Sequence, residues 1–128
     1  MTLVRPLSTI IAVSFFCFVA AVGTAQSAKS NCTNTTIQPE LNACAEADYE
    51  AADDLLNRTY KDVMARLPDE RSKQKLKAEE RVWISHRDKR CNEKVGPSPG
   101  IGASMWPMEM ANCLEEKTAQ RIRELRKD

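Results

Sequence analysis

The residues in this 128-residue chain with the most chemical potential are five cysteines, one histidine and a few adjacent acids. His86-Arg87-Asp88, followed by Asn92, has the residue order of a phosphotransfer catalytic loop. Its context excludes that reading, because no Gly-rich phosphate loop or strand lysine accompanies it and the chain has no room for two lobes. On a helix, His86 and Asp88 also diverge by about 200°. Asp53-Asp54 and Glu79-Glu80 are paired acids. Sequence neighbours on a helix point about 100° apart, so neither pair presents two converging carboxylates. With His86 alone and no nucleophile elbow, a Ser–His triad has no basis. The chain therefore reads as non-enzymatic, with no cofactor.

The cysteines take their meaning from position. Residues 1–25 read as a secretory signal peptide: Arg5 is the positive start, Leu7 to Val22 carries no charge, and Gly23-Thr24-Ala25 offers small residues for cleavage before Gln26. The apolar run is short for a membrane-spanning helix, which needs ~20 residues. Cys17 lies inside that run behind Phe15 and Phe16, where a lipidation site needs small residues, so no membrane anchor is expected after cleavage. A periplasmic or secreted location follows. Export implies an oxidising compartment, and four cysteines remain: Cys32, Cys44, Cys91 and Cys113. An even count in a short exported chain points to two disulfides. Zinc is the weak rival, since there is no C-x-x-C pair and a single histidine; no metal is expected.

Removing the leader also removes all three phenylalanines. A core of Leu, Ala, Val, Ile and Met in a chain of this size is modest, which suits covalent staples. Residues 26–35 are polar and read as a flexible arm. Residues 36–128 read as one helical domain. Thr36 to Leu67 forms one long helix, with Thr36 as a plausible N-cap and Pro39 in the first turn. Leu41, Cys44, Asp48, Ala52, Leu55, Thr59 and Val63 recur every three or four residues, widened by Leu56, Tyr60 and Leu67. Pro68-Asp69 breaks it. Asp69 to about Lys94 is a second helix with Leu76, Glu80, Trp83, Arg87 and Cys91 on one side. Residues 95–107 are Gly- and Pro-rich and read as a loop. A third helix, about Trp106 to Arg126, turns Met110, Leu114, Thr118, Arg121, Ile122 and Leu125 inward. The fold class is all-α: a small disulfide-stapled bundle of three helices, a long antiparallel hairpin plus a C-terminal helix.

Two constellations follow from the hairpin. Cys44 and Cys91 are nearly equidistant from Pro68, which favours Cys44–Cys91 and leaves Cys32–Cys113; Cys32–Cys44 stays open. Asp53 and Asn57 share a helix face, and Trp83 with Arg87 falls opposite them. Asp53, Asn57 and Arg87, covered by Tyr60 and Trp83, read as a structural polar cluster that fixes helix register.

The formal net charge of +1 becomes zero without the leader and argues against a nucleic-acid partner. It hides a segregation. Residues 26–57 sum to −5, residues 58–94 to +5 and the remainder to zero. The simplest outcome is that acids 46–54 neutralise Arg81, Arg87, Lys89 and Arg90 across the hairpin. The alternative is an acidic face left for a cationic partner.

The spaced set Cys32, Cys44, Tyr49-x-x-Ala52-Asp53-x-x-Leu56-Asn57-x-x-Tyr60, Leu76, Trp83-Ile84-x-x-Arg87-Asp88-x-x-Cys91, Cys113 and Thr118-x-x-Arg121-x-x-x-Leu125 resembles the LprI-like family. The likeness covers about residues 32–125. Glu80 and His86 depart from it, where members often carry Gln and an aromatic. The resemblance implies a helical, disulfide-bonded protein of the bacterial envelope. It further implies a binding protein that inhibits a lysozyme-like muramidase, a cationic enzyme. The candidate contacts are the acids Glu46, Glu50 and Asp54 for steering, and Met105-Trp106 at the loop end as an anchor. The alternative is a structural or stress-related envelope module that binds another protein without inhibiting it.

Overall fold

The computed structural model describes residues 35–100 and 105–127. The expected signal peptide, most of the expected polar arm, Cys32, residues 101–104 and Asp128 lie outside the described residues. Three helices follow in order: α1 (Gln38–Arg66), α2 (Glu70–Val95) and α3 (Trp106–Leu125).

The helix ends have local causes. At the start of α1 the cap position is Ile37, not Thr36, and no side chain caps it. Thr35 takes the bracing role instead. Its hydroxyl accepts from the Ile37 amide at 3.1 Å and donates to the Glu40 carboxylate. Pro39 sits in the first turn, where a missing N–H leaves no helical bond unmade. The α1–α2 break at Pro68 is sharp because Asp69 starts the next helix at once. The Asp69 carboxylate accepts from the Ser72 amide at 2.8 Å and from the Ser72 hydroxyl at 3.1 Å. At the end of α2, Gly96 takes φ +84° and donates its amide to the Asn92 carbonyl at 2.9 Å. That left-handed backbone suits a residue without Cβ.

α3 runs parallel to α1 and antiparallel to α2. Gln38 at the start of α1 meets Met108 at the start of α3, with Nε2 3.6 Å from Sδ. The buried residues of α1 (Ala45, Ala52, Leu56, Thr59, Val63) and, apart from the disulfide-bonded Cys113, those of α3 (Ala111, Thr118, Ile122, Leu125) share the spacing seven, four, three. Two parallel helices with that repeat interlock along a seam. Alanines in the first half of the seam let the helices approach. α1 packs far more on α3 than on α2, and α2 leans mainly on α3.

The apolar core gathers near the α1–α2 turn: Leu56, Val63, Leu76, Ile122 and Leu125, flanked by Leu55, Tyr60, Met64, Leu67 and Trp83. Each fully buried Leu or Ile contributes ~1.5–3 kcal/mol. The opposite end has small side chains and a covalent link. Cys91 and Cys113 are bonded, with Cα atoms 5.7 Å apart, and both are buried. This overturns the expected Cys44–Cys91 and Cys32–Cys113 pairs. Cys44 is also disulfide-bonded, to a partner outside the described residues.

The inner faces shift accordingly. On α1 the buried row is centred on Ala45 and Leu56, and Leu41, Cys44 and Leu55 sit at its margin. On α3 Ala111 and Cys113 are buried where Met110 and Leu114 were expected. On α2 Ile84 remains exposed.

Candidate functional site

A groove of about 420 Å³ runs between α1 and α2, where α3 holds the two helices apart. Arg87, one of four buried polar or charged side chains among the described residues, lines it. Its Nη1 donates to Asp53 on α1 at 3.5 Å and to Thr118 on α3 at 3.4 Å. Its Nε donates to the neighbouring Asp88 at 2.9 Å. The guanidinium also lies over two rings, 5.3 Å from the Trp83 centroid and 5.7 Å from that of Tyr49. Asn57 donates to the second Asp53 oxygen at 3.1 Å. The structure thus brings Asp53, Asn57, Trp83 and Arg87 together, with Tyr60 half-buried on the groove wall. One arginine reaches all three helices, so the cluster ties their relative heights.

A second ion pair joins α2 to α3 about two turns before Arg87 on α2 and one turn after Thr118 on α3. Arg121 Nη2 on α3 is 2.9 Å from Glu80 Oε2 on α2, and both side chains are largely buried. Arg121 reaches Glu124 at 3.3 Å and lies 5.9 Å from the Trp83 ring centre. Burial works against its charge, yet the bonds to Glu80 and Glu124 outweigh it and raise its pKa. The other Glu80 oxygen, Oε1, is buried and has no hydrogen-bond partner. Burial also pushes the Tyr49 phenol up, against the lowering pull of the Arg87 charge.

Tyr49, Thr118 and the Glu80–Arg121 pair had no assigned place in the cluster expected from sequence. The signal was present. Glu80 and Arg121 are charges on otherwise inward-facing rows, and a charge on such a row calls for a partner.

The acids of α1 behave differently. Glu46, Glu50 and Asp54 form one exposed row along the outer side of the helix. Among the described residues no cation comes within ion-pairing distance of any of the three. Asp53, which lines the groove, pairs across to Arg87 on α2. The expected neutralisation of residues 46–54 is therefore partial: Asp53 meets Arg87, while Glu46, Glu50 and Asp54 meet no α2 cation among the described residues.

At the other candidate contact, Trp106 is half-buried and its indole N–H donates to the Gly96 carbonyl at 3.1 Å. It ties the start of α3 to the end of α2. Met105 beside it is 51% exposed. Among the described residues no three metal-ligating side chains converge, and no helix is long and apolar enough to cross a membrane.

The family model described as lysozyme inhibitor LprI matches residues 28–125. A protein of Rhizobium meliloti (strain 1021), described as uncharacterized, is 33% identical over 90% of each chain. No solved structure matches.

Proposed function

This chain belongs to the LprI family of lysozyme inhibitors, and we propose that it acts as an exported, non-enzymatic protein of the bacterial envelope that binds and inhibits a cationic muramidase. The observation that supports this most is the row Glu46, Glu50 and Asp54, exposed and without an ion pair among the described residues. Three like charges on one helix face repel each other weakly and gain nothing within the fold. They gain from a cationic partner, whose approach they accelerate and orient. Exposed Met105 supplies an apolar contact, while Trp106 holds the loop base behind it.

The test is direct. Purified mature protein is added to a cationic muramidase acting on cell-wall substrate. The reading expects stoichiometric inhibition. No inhibition at micromolar excess removes it and leaves the alternative, an envelope interaction module whose partner is another periplasmic protein.

A further inference from the structure

We propose that the groove between α1 and α2 binds a small organic anion, a carboxylate or phosphate group carried on an aromatic body. This stands apart from the muramidase reading, which rests on the outer row of α1. The groove holds about 420 Å³, within the range of small-ligand sites.

Charge selects the occupant. Five charged side chains line the groove: Asp53, Lys77, Glu80, Arg81 and Arg87. Three of them are already matched. Asp53 and Arg87 hold each other at 3.5 Å, and Glu80 is held by Arg121 of α3 at 2.9 Å. Lys77 and Arg81 remain, both exposed and neither in an ion pair among the described residues. The acids Glu46, Glu50 and Asp54 do not line the groove. Elsewhere α2 relieves its cations along its own length: Lys73 with Glu70, Lys75 with Glu79 and Lys89 with Glu93. Lys77 and Arg81 have no such neighbour. They stand four apart on one helix face, with Lys73 and Ser85 at the next steps of four. The acid three residues after Lys77 is Glu80, which is committed to Arg121.

Two like charges at that spacing repel each other. An oxyanion relieves both at once: the planar Arg81 fork matches a carboxylate or phosphate edge, and Lys77 adds a point charge. A cationic ligand is repelled by the same pair, and a neutral one gains little from it. The walls set the rest of the ligand. Half-buried Tyr49 and Tyr60, buried Leu56 and exposed Ile84 line the same groove. An aromatic body packs against these rings and aliphatic groups, whereas a bare inorganic ion leaves them uncovered.

The experiment is an NMR titration of ¹⁵N-labelled mature protein with N-acetylphenylalanine and with phenyl phosphate. N-acetylphenylalaninamide serves as the neutral counterpart and inorganic phosphate as the headgroup without a body. The expected result is saturable shifts with at least one of the two aromatic anions, with Kd about 1–10 mM. Which of the two binds tells a carboxylate from a phosphate ligand. The shifts should fall in residues 49–60 and 77–84, and the amide and inorganic phosphate should bind about tenfold more weakly or not at all. Lys77→Ala and Arg81→Ala, both at exposed positions, should each weaken binding about fivefold or more with the rest of the spectrum unchanged. Arg90→Ala removes a cation that is also exposed and without an ion pair but lies outside the groove, and it should bind as the native protein does. Absence of saturable shifts with both aromatic anions overturns the proposal. So does equal binding of the amide, or a loss in Arg90→Ala as large as in Arg81→Ala, which would mark diffuse attraction to the cations of α2.

Discussion

Arg87 Nη1 on α2 lies 3.4 Å from the hydroxyl of Thr118 on α3, the polar side chain with no solvent exposure at all. The same nitrogen reaches Asp53 on α1. Removing the guanidinium breaks both bonds and the stacking on Trp83 and Tyr49. Arg87→Ala should cost about 2–3 kcal/mol of unfolding free energy, from lost packing and polar contacts. Arg87→Met should cost less, because it keeps the stem volume. Partner binding should fall with stability in both. Lost binding at unchanged thermal stability would show instead that Arg87 touches the partner.

The Glu80–Arg121 pair tests a different balance. Glu80→Ala leaves Arg121 largely buried with only Glu124 to face. Removing one member of a buried pair costs ~3 kcal/mol or more, reduced here by residual solvent access. The double change Glu80→Leu with Arg121→Met should recover most of that loss. Urea unfolding of these two variants beside the native protein checks this. A double variant less stable than Glu80→Ala would mean the pair is net stabilising.

Much of this arrangement could be read from the residues. The three helices begin and end within a few positions of the expected ones, because Pro39, Pro68-Asp69 and Gly96 punctuate strongly. The row Leu76, Glu80, Trp83, Arg87 and Cys91 does face inward. The disulfide pairing failed for a geometric reason. Equal distance from Pro68 places Cys44 and Cys91 at one height, but height does not set facing. α3 packs parallel along α1 and takes the side of α2 that carries Cys91. The matching spacing of small residues at Ala45 and Ala52 and at Ala111 and Thr118 was the available clue. It was masked by larger neighbours such as Leu41 and Met110.

The disulfide carries a measurable load. Cys91 and Cys113 close a loop of 22 residues. On the chain-entropy model this is worth ~3 kcal/mol. Replacing both by alanine should lower the urea midpoint accordingly and leave the helix content intact. Peptide mapping without reduction should recover a 91–113 link. A 44–91 link would contradict the helix arrangement.

Stability should fall in acid, in part through the α2 cap. The Ser72 amide and then its hydroxyl hold the Asp69 carboxyl below its ordinary value of 3.8. Glu116 is lowered in the same sense, chiefly by the Lys117 hydrogen bond and charge. A carboxyl with a depressed folded pKa stabilises above its unfolded pKa. That contribution is lost as pH falls through the folded value. Thermal midpoints between pH 2 and 6 should therefore drop below about pH 4. Asp69→Asn, which caps without titrating, should flatten part of that slope. Superimposable pH profiles for the two proteins would exclude the cap as a source.

The acidic row of α1 is the feature on which the functional reading stands, and charge reversal addresses it most directly. Glu46, Glu50 and Asp54 are exposed and unpaired among the described residues, so changing all three to lysine should leave the thermal midpoint nearly unchanged. The decisive measurement is inhibition of a cationic muramidase by the mature protein and by this triple variant, at low and at physiological salt. The expected result is inhibition by the native protein that weakens with salt, and a loss of about tenfold or more in the variant. Inhibition that is absent in the native protein, or equal in the two, would contradict it.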